Sequence, residues 1–126
     1  MNDFNFSNVQ RFYQVENHQP NFIRAWHGHT KEAKYVYVVR GAAIIQTLSY
    51  EQAGSLESAK PERFVLSAEN PRVLYIPPQH YNGFMNLTVD TIVIFFSTST
   101  LKDSLNDDFR MPVNAVSMEG WKIESR

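Results

Sequence analysis

The sequence predicts an all-β fold, an antiparallel sandwich or barrel built by one domain of 126 residues. About eight short apolar segments follow one another at a spacing of roughly ten residues, as in such folds. Stretches rich in Pro, Gly, Asn and Asp separate these segments. No helical period of useful length occurs before Leu101. We therefore expect one domain over 1–126, with a polar N-terminal arm (1–10) and a C-terminal extension (101–126).

Each predicted strand is a short run with aromatic or β-branched residues, bounded by polar or turn-forming ones. In chain order the strands are 11–16, 22–29, 34–39, 42–50, 63–67, 72–76, 81–87 and 91–98. Pro77 and Pro78 end the sixth strand because proline cannot donate to a sheet ladder. The continuous apolar run 92–96 predicts a strand buried on both faces. In the extension, 101–110 is expected to form one helical turn or a loop, and 121–124 an edge strand on a partner subunit.

Composition excludes several classes of protein. The hydrophobic fraction of 43% and the aromatic fraction of 13% predict a globular chain with a substantial core. A net charge of -1 does not favour a nucleic-acid partner. The absence of cysteine excludes disulfides and thiolate chemistry and fits the cytoplasm. No apolar run approaches the roughly 20 residues of a membrane helix, and the N-terminus lacks signal-peptide features, so we expect a cytoplasmic protein without a membrane partner.

The candidate catalytic residues are His27, His29 and Lys34. His27 and His29 are two residues apart in an extended segment, so both point to the same face. Lys34 opens the next strand and shares its face with Val36 and Val38. Two imidazoles and an ammonium in one cavity would suit proton transfer. The alternative is a solvated turn that happens to contain two histidines.

The spacing also resembles the metal-binding motifs of the cupin superfamily, which are small double-stranded β-helix domains. His27-x-His29 is present, but Lys34 stands where that motif has glutamate, and Asn82 stands where it has a third histidine. A divalent metal prefers imidazole and carboxylate ligands, and an ammonium repels it. We therefore expect no metal and no cofactor. A metal held by His27, His29 and His80 is kept as an alternative.

Several blocks in order resemble the dTDP-4-dehydrorhamnose 3,5-epimerase family over about residues 22–100. Family members read Arg-Gly-x-His, then Lys-x-Val-x-Val-x-x-Gly, then Leu-Ser-x-x-Asn-x-x-x-Leu-x-Ile-Pro, then His-Gly-Phe. The matching blocks of this chain are Arg24-Ala-Trp-His27, Lys34-Tyr-Val-Tyr-Val-Val-Arg-Gly41, Leu66-Ser-Ala-Glu-Asn-Pro-Arg-Val-Leu-Tyr-Ile-Pro77 and Asn82-Gly-Phe84. The pair His27-Gly-His29 is also similar to the related sugar-nucleotide 3,4-ketoisomerases. The resemblance implies a cupin-type double-stranded β-helix, that is, a jelly-roll barrel.

The resemblance further implies a nucleotide-linked sugar as substrate, namely a dTDP-linked 4-keto-6-deoxyhexose. Arg24 would contact the diphosphate, His27 would be the base, and Lys34 would lie beside the keto oxygen. Because Arg24 and His27 have opposite strand parity, a bulge or a strand end between them is required. A homodimer paired through strands is implied as well. The remaining candidate substrate-binding residues are Arg40, His80, Asn82 and Tyr37.

Two departures from the family pattern limit the reaction. Phe96 stands at about the place of the family's proton-donating tyrosine, and Asn82 replaces the histidine before Gly-Phe. Double epimerisation is therefore disfavoured, and we expect an epimerase or ketoisomerase of deoxysugar or polysaccharide biosynthesis that acts at one site, with His27 as base and His29 as acid. The alternatives are a catalytically silent nucleotide-sugar-binding cupin and a metal-dependent cupin enzyme. The candidate replacement donors are Tyr35, Tyr37, Tyr75 and Tyr81.

Overall fold

Two antiparallel sheets face each other in the computed structural model, which describes residues 4–123. Their strands, within that range, are β1 (Arg11–Asn17), β2 (Ile23–His29), β3 (Lys34–Arg40), β4 (Ala42–Ser49), β5 (Glu62–Ser67), β6 (Val73–Ile76), β7 (His80–Asn86), β8 (Thr91–Ser97) and β9 (Phe109–Arg110). Two short helices, α1 (Tyr50–Ala53) and α2 (Leu101–Leu105), follow β4 and β8. The last described residues form two 3₁₀ turns, Val113–Ala115 and Glu119–Trp121. The all-β prediction is confirmed.

The strand order shows how the chain wraps into a barrel. One sheet has the order β1-β8-β3-β6, and the other has the order β5-β4-β7-β2-β9. Few neighbours in space are neighbours in sequence, so the chain crosses repeatedly from one sheet to the other, as in a jelly roll. The crossing places inward-facing side chains of β1, β2, β3, β7 and β8 around the same end of the barrel.

The barrel interior is apolar at one end and polar at the other. Period-two alternation sends every second side chain of each strand inward. On β3, Val36 and Val38 enter the apolar core, and Lys34 lies one step earlier on the same face. The other buried core residues are Ala43, Ile45, Leu66, Ile76, Phe84, Val93 and Phe95. A single strand thus contributes both to the core and to the polar cavity beside it.

A second apolar cluster lies on the outer face of the five-stranded sheet. Trp26, Ile44 and Met85 point outward and are covered by Val116 and Trp121 from the C-terminal extension. The expectation of an edge strand at 121–124 is wrong for the described residues, because Trp121 ends a 3₁₀ turn and packs 5.6 Å from the Trp26 ring. Glu124 lies outside them. The extension therefore serves as the second layer of the protein's own core.

The segment 101–110 contains one helical turn, as expected, and also the short strand β9. The run 92–96 was expected to be buried on both faces, but only alternate residues are fully buried. Its outer face is partly covered by Phe4 and Phe6 of the N-terminal arm, which contact Phe96. None of the helices in the described range is long and apolar enough to cross a membrane.

The docking of the extension can be tested by removing its anchor. Trp121 is 4% exposed, and Trp121→Ala should lower the free energy of unfolding by about 3 to 5 kcal/mol because a large buried side chain is lost. Ile123, which is 58% exposed, provides the control, and Ile123→Ala should change stability by less than about 0.5 kcal/mol. Urea unfolding followed by far-ultraviolet circular dichroism, which does not rely on tryptophan fluorescence, measures the stability of both variants. Equal stabilities of the two variants would contradict this packing.

Candidate active site

A cavity of about 470 Å³ opens at the polar end of the barrel. Its walls are inward-facing side chains of five strands, namely Tyr13 of β1, His27 of β2, Lys34 of β3, Asn82 of β7 and Phe95 of β8. The extension closes one side with α2 and with the residues around β9. The cavity therefore combines a rigid strand framework with a wall made by the end of the chain.

His27 is half-buried and faces this cavity. Asn82 donates a hydrogen bond from Nδ2 to the main-chain carbonyl of His27, at 3.2 Å, which fixes the strand at that point. The pKa of His27 is lowered from its ordinary value, first by burial and then by the positive charges of Arg110 and Lys34. The imidazole is therefore neutral at pH 7 and able to accept a proton.

The ladder between β2 and β7 has a register shift between Arg24 and His27. An ideal strand would point the two side chains to opposite faces, but the shift allows both to line the cavity. Arg24 donates from Nε to Oδ1 of Asn17, at 3.0 Å, and its guanidinium lies 5.2 Å from the Phe22 ring centre. The sequence required a bulge or a strand end at this point, and the structure has a register shift there.

His29 lies deeper in the site, with one ring nitrogen hydrogen-bonded and the other close to a carboxylate. Its Nδ1 donates to the main-chain carbonyl of Asp107, at 2.6 Å, and its Nε2 lies 3.5 Å from Oε2 of Glu32. Burial lowers the pKa of His29, and the charge of Lys34 lowers it further, whereas Glu32 acts in the opposite direction. The pKa of His29 therefore lies below its ordinary value, and Glu32 offsets the effect of burial only in part.

Lys34 is buried with its ammonium at the junction of three strands. Its Nζ donates to the hydroxyl of Tyr13, at 3.0 Å, and lies 3.7 Å from Oε2 of Glu32. Arg11 reaches the other carboxylate oxygen of Glu32 at 3.4 Å and donates to Oγ of Ser104, at 2.9 Å. The cation at the cavity wall is thus fixed in place by a buried acid.

The Asp107 carboxylate organises the connector between β2 and β3. Its oxygens accept hydrogen bonds from the main-chain N–H groups of Thr30, Lys31 and Glu32, at 2.8, 2.8 and 3.0 Å. Burial alone would raise the pKa of the Asp107 carboxyl, but these hydrogen bonds outweigh burial and hold the pKa below its ordinary value of 3.8. One residue therefore orients His29 through its carbonyl and Glu32 through its side chain.

Gly28 separates the two histidines in a crowded place. A Cβ atom there would lie 2.6 Å from the ring of Tyr81 and 2.9 Å from the hydroxyl of Tyr50. Both distances are shorter than van der Waals contact allows, so only glycine fits without rearrangement. The His27-Gly28-His29 spacing therefore has a steric reason as well as a chemical one.

The structure brings together some of the predicted site residues and leaves others apart. Arg24, His27, His29, Lys34 and Asn82 line the cavity. The remaining three do not: Arg40 is exposed at the end of β3, Tyr37 points to the outer face of the same strand, and His80 donates to the carbonyl of Pro78, at 2.9 Å.

The sequence comparison placed Phe96 at the position of a proton donor, but Phe95 is the residue of β8 that faces the cavity. Phe96 points outward toward the N-terminal arm. Because the expected donor position rested on an approximate alignment, its strand parity was wrong by one residue. Neither phenyl ring can donate a proton.

Tyr13 is a cavity residue that sequence reasoning missed. Its ring stacks on Phe95 with centroids 5.2 Å apart, and its hydroxyl contacts Lys34. The four tyrosines proposed as donors are absent from the cavity lining, whereas Tyr13 is present. The alternation of Arg11, Tyr13 and Val15 on β1 could have revealed it, because these three share one face.

The metal alternative has no geometric support in the described residues. Within that part of the chain, the one group of three side chains with ligand atoms within 4.8 Å of one another is Glu16, His18 and Asp90. These residues are exposed and lie outside the cavity. His18 is an exposed residue whose Nδ1 lies 2.7 Å from Oδ1 of Asp90.

The chain is similar to known proteins in sequence and in structure. A model of the family described as dTDP-4-dehydrorhamnose 3,5-epimerase matches residues 2–119. A search of curated proteins returned no match. The family match covers both the strand framework and most of the C-terminal extension.

Three solved structures illustrate the shared fold. The rmlC epimerase of Mycobacterium tuberculosis has a TM-score of 0.67 and 15% identity, over 82% of this chain and 52% of that chain. QdtA, a sugar 3,4-ketoisomerase from Thermoanaerobacterium thermosaccharolyticum in complex with TDP, has a TM-score of 0.65 and 15% identity, over 86% of this chain and 71% of that chain. The capsular polysaccharide assembling protein CapF of Staphylococcus aureus has a TM-score of 0.65 and 16% identity, over 79% of this chain. The match spans only 25% of CapF. The fold is therefore the cupin-type jelly-roll barrel that the sequence predicted.

The role of Asp107 can be tested by its pH dependence. Asp107→Ala should lower the free energy of unfolding at pH 7 by about 3 kcal/mol, because three N–H groups lose a charged acceptor. Since the folded pKa lies below 3.8, the carboxylate stabilises the fold above pH 3.8 and loses this effect as the pH falls through the folded pKa. The stability difference from the unsubstituted chain should shrink only in that acidic range. Asp103→Ala, at an exposed site, is the control, and a pH-independent difference for Asp107→Ala would contradict the assignment.

Proposed function

Because this chain belongs to the dTDP-4-dehydrorhamnose 3,5-epimerase family, we propose that it is an isomerase of deoxysugar biosynthesis that enolises a dTDP-linked 4-keto-6-deoxyhexose. The observation that supports this most directly is the pairing of a neutral His27 with the cationic Lys34 in one cavity. A neutral base and a fixed positive charge are what proton removal next to a ketone requires.

In the proposed reaction, His27 takes the proton from the carbon next to the keto group. The C–H electron pair forms the enolate double bond, and the carbonyl electrons move onto oxygen. The ammonium of Lys34 stabilises this oxygen, and because Tyr13 and Glu32 hold the ammonium, little reorganisation is needed. The enolate then takes a proton at the same carbon from the opposite face, which inverts that centre, or at the neighbouring carbon, which moves the ketone.

A single-site reaction suits the acids that are available. His29 is the proposed acid and lies on the same face of β2 as His27. Tyr13 is the tyrosine of the cavity lining, and its hydroxyl accepts a hydrogen bond from Lys34. This position suits Tyr13 to support the cation beside the enolate oxygen, and not to donate a proton to a second carbon. Arg24 remains the proposed contact for the diphosphate. The lack of cysteine fits a reducing compartment, so a cytoplasmic location is part of the proposal.

The base can be tested by isotope exchange. In deuterated water, His27→Ala should reduce exchange of the sugar C–H of a dTDP-linked 4-keto-6-deoxyhexose by about 100-fold or more, as expected for loss of a general base. Proton NMR of the sugar measures the exchange. His18→Ala, which changes an exposed histidine outside the cavity, should leave the rate unchanged.

Two outcomes would contradict this function. Unchanged exchange in His27→Ala would show that another group is the base. Nucleotide-sugar binding by calorimetry, with no exchange in the unsubstituted protein, would indicate instead a catalytically silent binding cupin.

We further propose that the protein is a homodimer that covers the outer face of the four-stranded sheet. Phe12, Val39 and Tyr75 are exposed on that face at 69%, 44% and 50%. An exposed apolar group of this kind is typical of an interface. Light scattering should give twice the monomer mass, and Phe12→Lys should shift the protein toward monomer. A monomer at all concentrations would contradict the proposal.

A further inference from the structure

Glu32 is a buried acid at the meeting point of three basic side chains. Its side chain is fully buried, and its carboxylate lies 3.4 Å from Arg11, 3.5 Å from His29 and 3.7 Å from Lys34. These three residues belong to three different strands, β1, β2 and β3. Glu32 does not line the cavity. It therefore contacts His29, the proposed acid, and Lys34, the proposed cation, without lining the cavity that would hold the substrate.

The contact between Glu32 and His29 determines where a proton lies. Nδ1 of His29 faces a carbonyl oxygen, which only accepts hydrogen bonds, so Nδ1 carries a hydrogen. In a neutral ring, Nε2 would then direct a lone pair at Oε2 of Glu32, and two acceptors would face each other. Both of these atoms are buried without a hydrogen-bond partner. A proton on Nε2 removes this conflict and gives the carboxylate a donor.

We propose that Glu32 is a positioning residue that favours a proton on Nε2 of His29 and so offsets part of the effect of burial, which allows His29 to act as the acid of the reaction. This inference rests on the proposed isomerase function. In the reprotonation step, the N–H bond of His29 breaks, the proton joins the carbon of the enolate, and His29 is left neutral. The proton on His27 then returns to His29 or to water to complete the cycle.

The charges around this pair act in both directions. The pKa of His29 lies below its ordinary value, because burial and then the charge of Lys34 outweigh Glu32, the main-chain carbonyl of Asp107 and the Asp107 carboxylate, which raise it. Arg11, on β1, forms an ion pair with the other carboxylate oxygen of Glu32, at 3.4 Å. Because Glu32 is the nearest acid to Nε2, its removal should lower the pKa of His29 further.

Titration of the ligand-free protein tests the pair without any turnover. With ¹⁵N-labelled histidine, the His29 midpoint in Glu32→Gln should fall by about one pH unit, as expected for loss of an opposite charge within 4 to 6 Å. Glu62→Gln removes an exposed carboxylate of β5 and should leave the midpoint unchanged. An unchanged midpoint in Glu32→Gln would overturn the inference.

The titration also covers the case in which Glu32→Gln does not fold. In the unsubstituted protein, His29 should keep its proton to a higher pH than His27, which has no carboxylate within ion-pair distance among the described residues. The opposite order of the two midpoints would overturn the inference. Glu32→Asp retains the negative charge, so its His29 midpoint should lie between that of Glu32→Gln and that of the unsubstituted protein.

Kinetics then separate positioning from a purely structural role. Glu32→Gln should lower kcat about 10-fold and leave KM within about twofold, because Glu32 makes no substrate contact. The rate should decline with rising pH about one unit earlier than in the unsubstituted enzyme, because His29 loses its proton sooner. A rise in KM with unchanged kcat would overturn the inference. If the His29 midpoint shifts as expected but no keto sugar exchanges, the proposed function fails while the Glu32–His29 pair stands.

Discussion

A charge removed from water must be paired, and the polar end of this barrel is arranged around that requirement. Glu32 is fully buried, and three strands each supply one basic side chain to it. An unpaired carboxylate in this position would cost several kcal/mol. The pairing therefore determines where Lys34 and His29 lie, and through them the shape and charge of the cavity. Asp107 extends the same arrangement because it fixes the main chain that presents Glu32.

The C-terminal extension joins the site to the core. It supplies α2 to the cavity wall and Asp107 to the connector between β2 and β3, and it pairs β9 with β2 beside His27. It then crosses the outer face of the same sheet as far as Trp121. The strand that presents the two histidines is thus held from inside the barrel, along its edge and from outside. Such support from several directions keeps catalytic side chains in a fixed geometry, which proton transfer needs.

Strand positions and strand parity could be predicted because they depend on local patterns. The sequence placed β1 to β8 within a few residues and required a bulge or a strand end between Arg24 and His27, where the structure has a register shift. It did not predict the role of Asp107, because that contact joins residues more than seventy positions apart and no local pattern encodes it. Parity also explains the errors: Tyr37 and Phe96 belong to the right strands but face outward.

Gly28 has a consequence for how this site would be read across related sequences. The residue makes no chemical contribution, yet the rings of Tyr81 and Tyr50 leave no room for a larger one. The only constraint on this position would be the space available to its side chain. A glycine retained between the two histidines would therefore indicate that large side chains still stand at the positions of the two tyrosines. A relative in which those tyrosines become small could accept alanine there and still retain its chemistry.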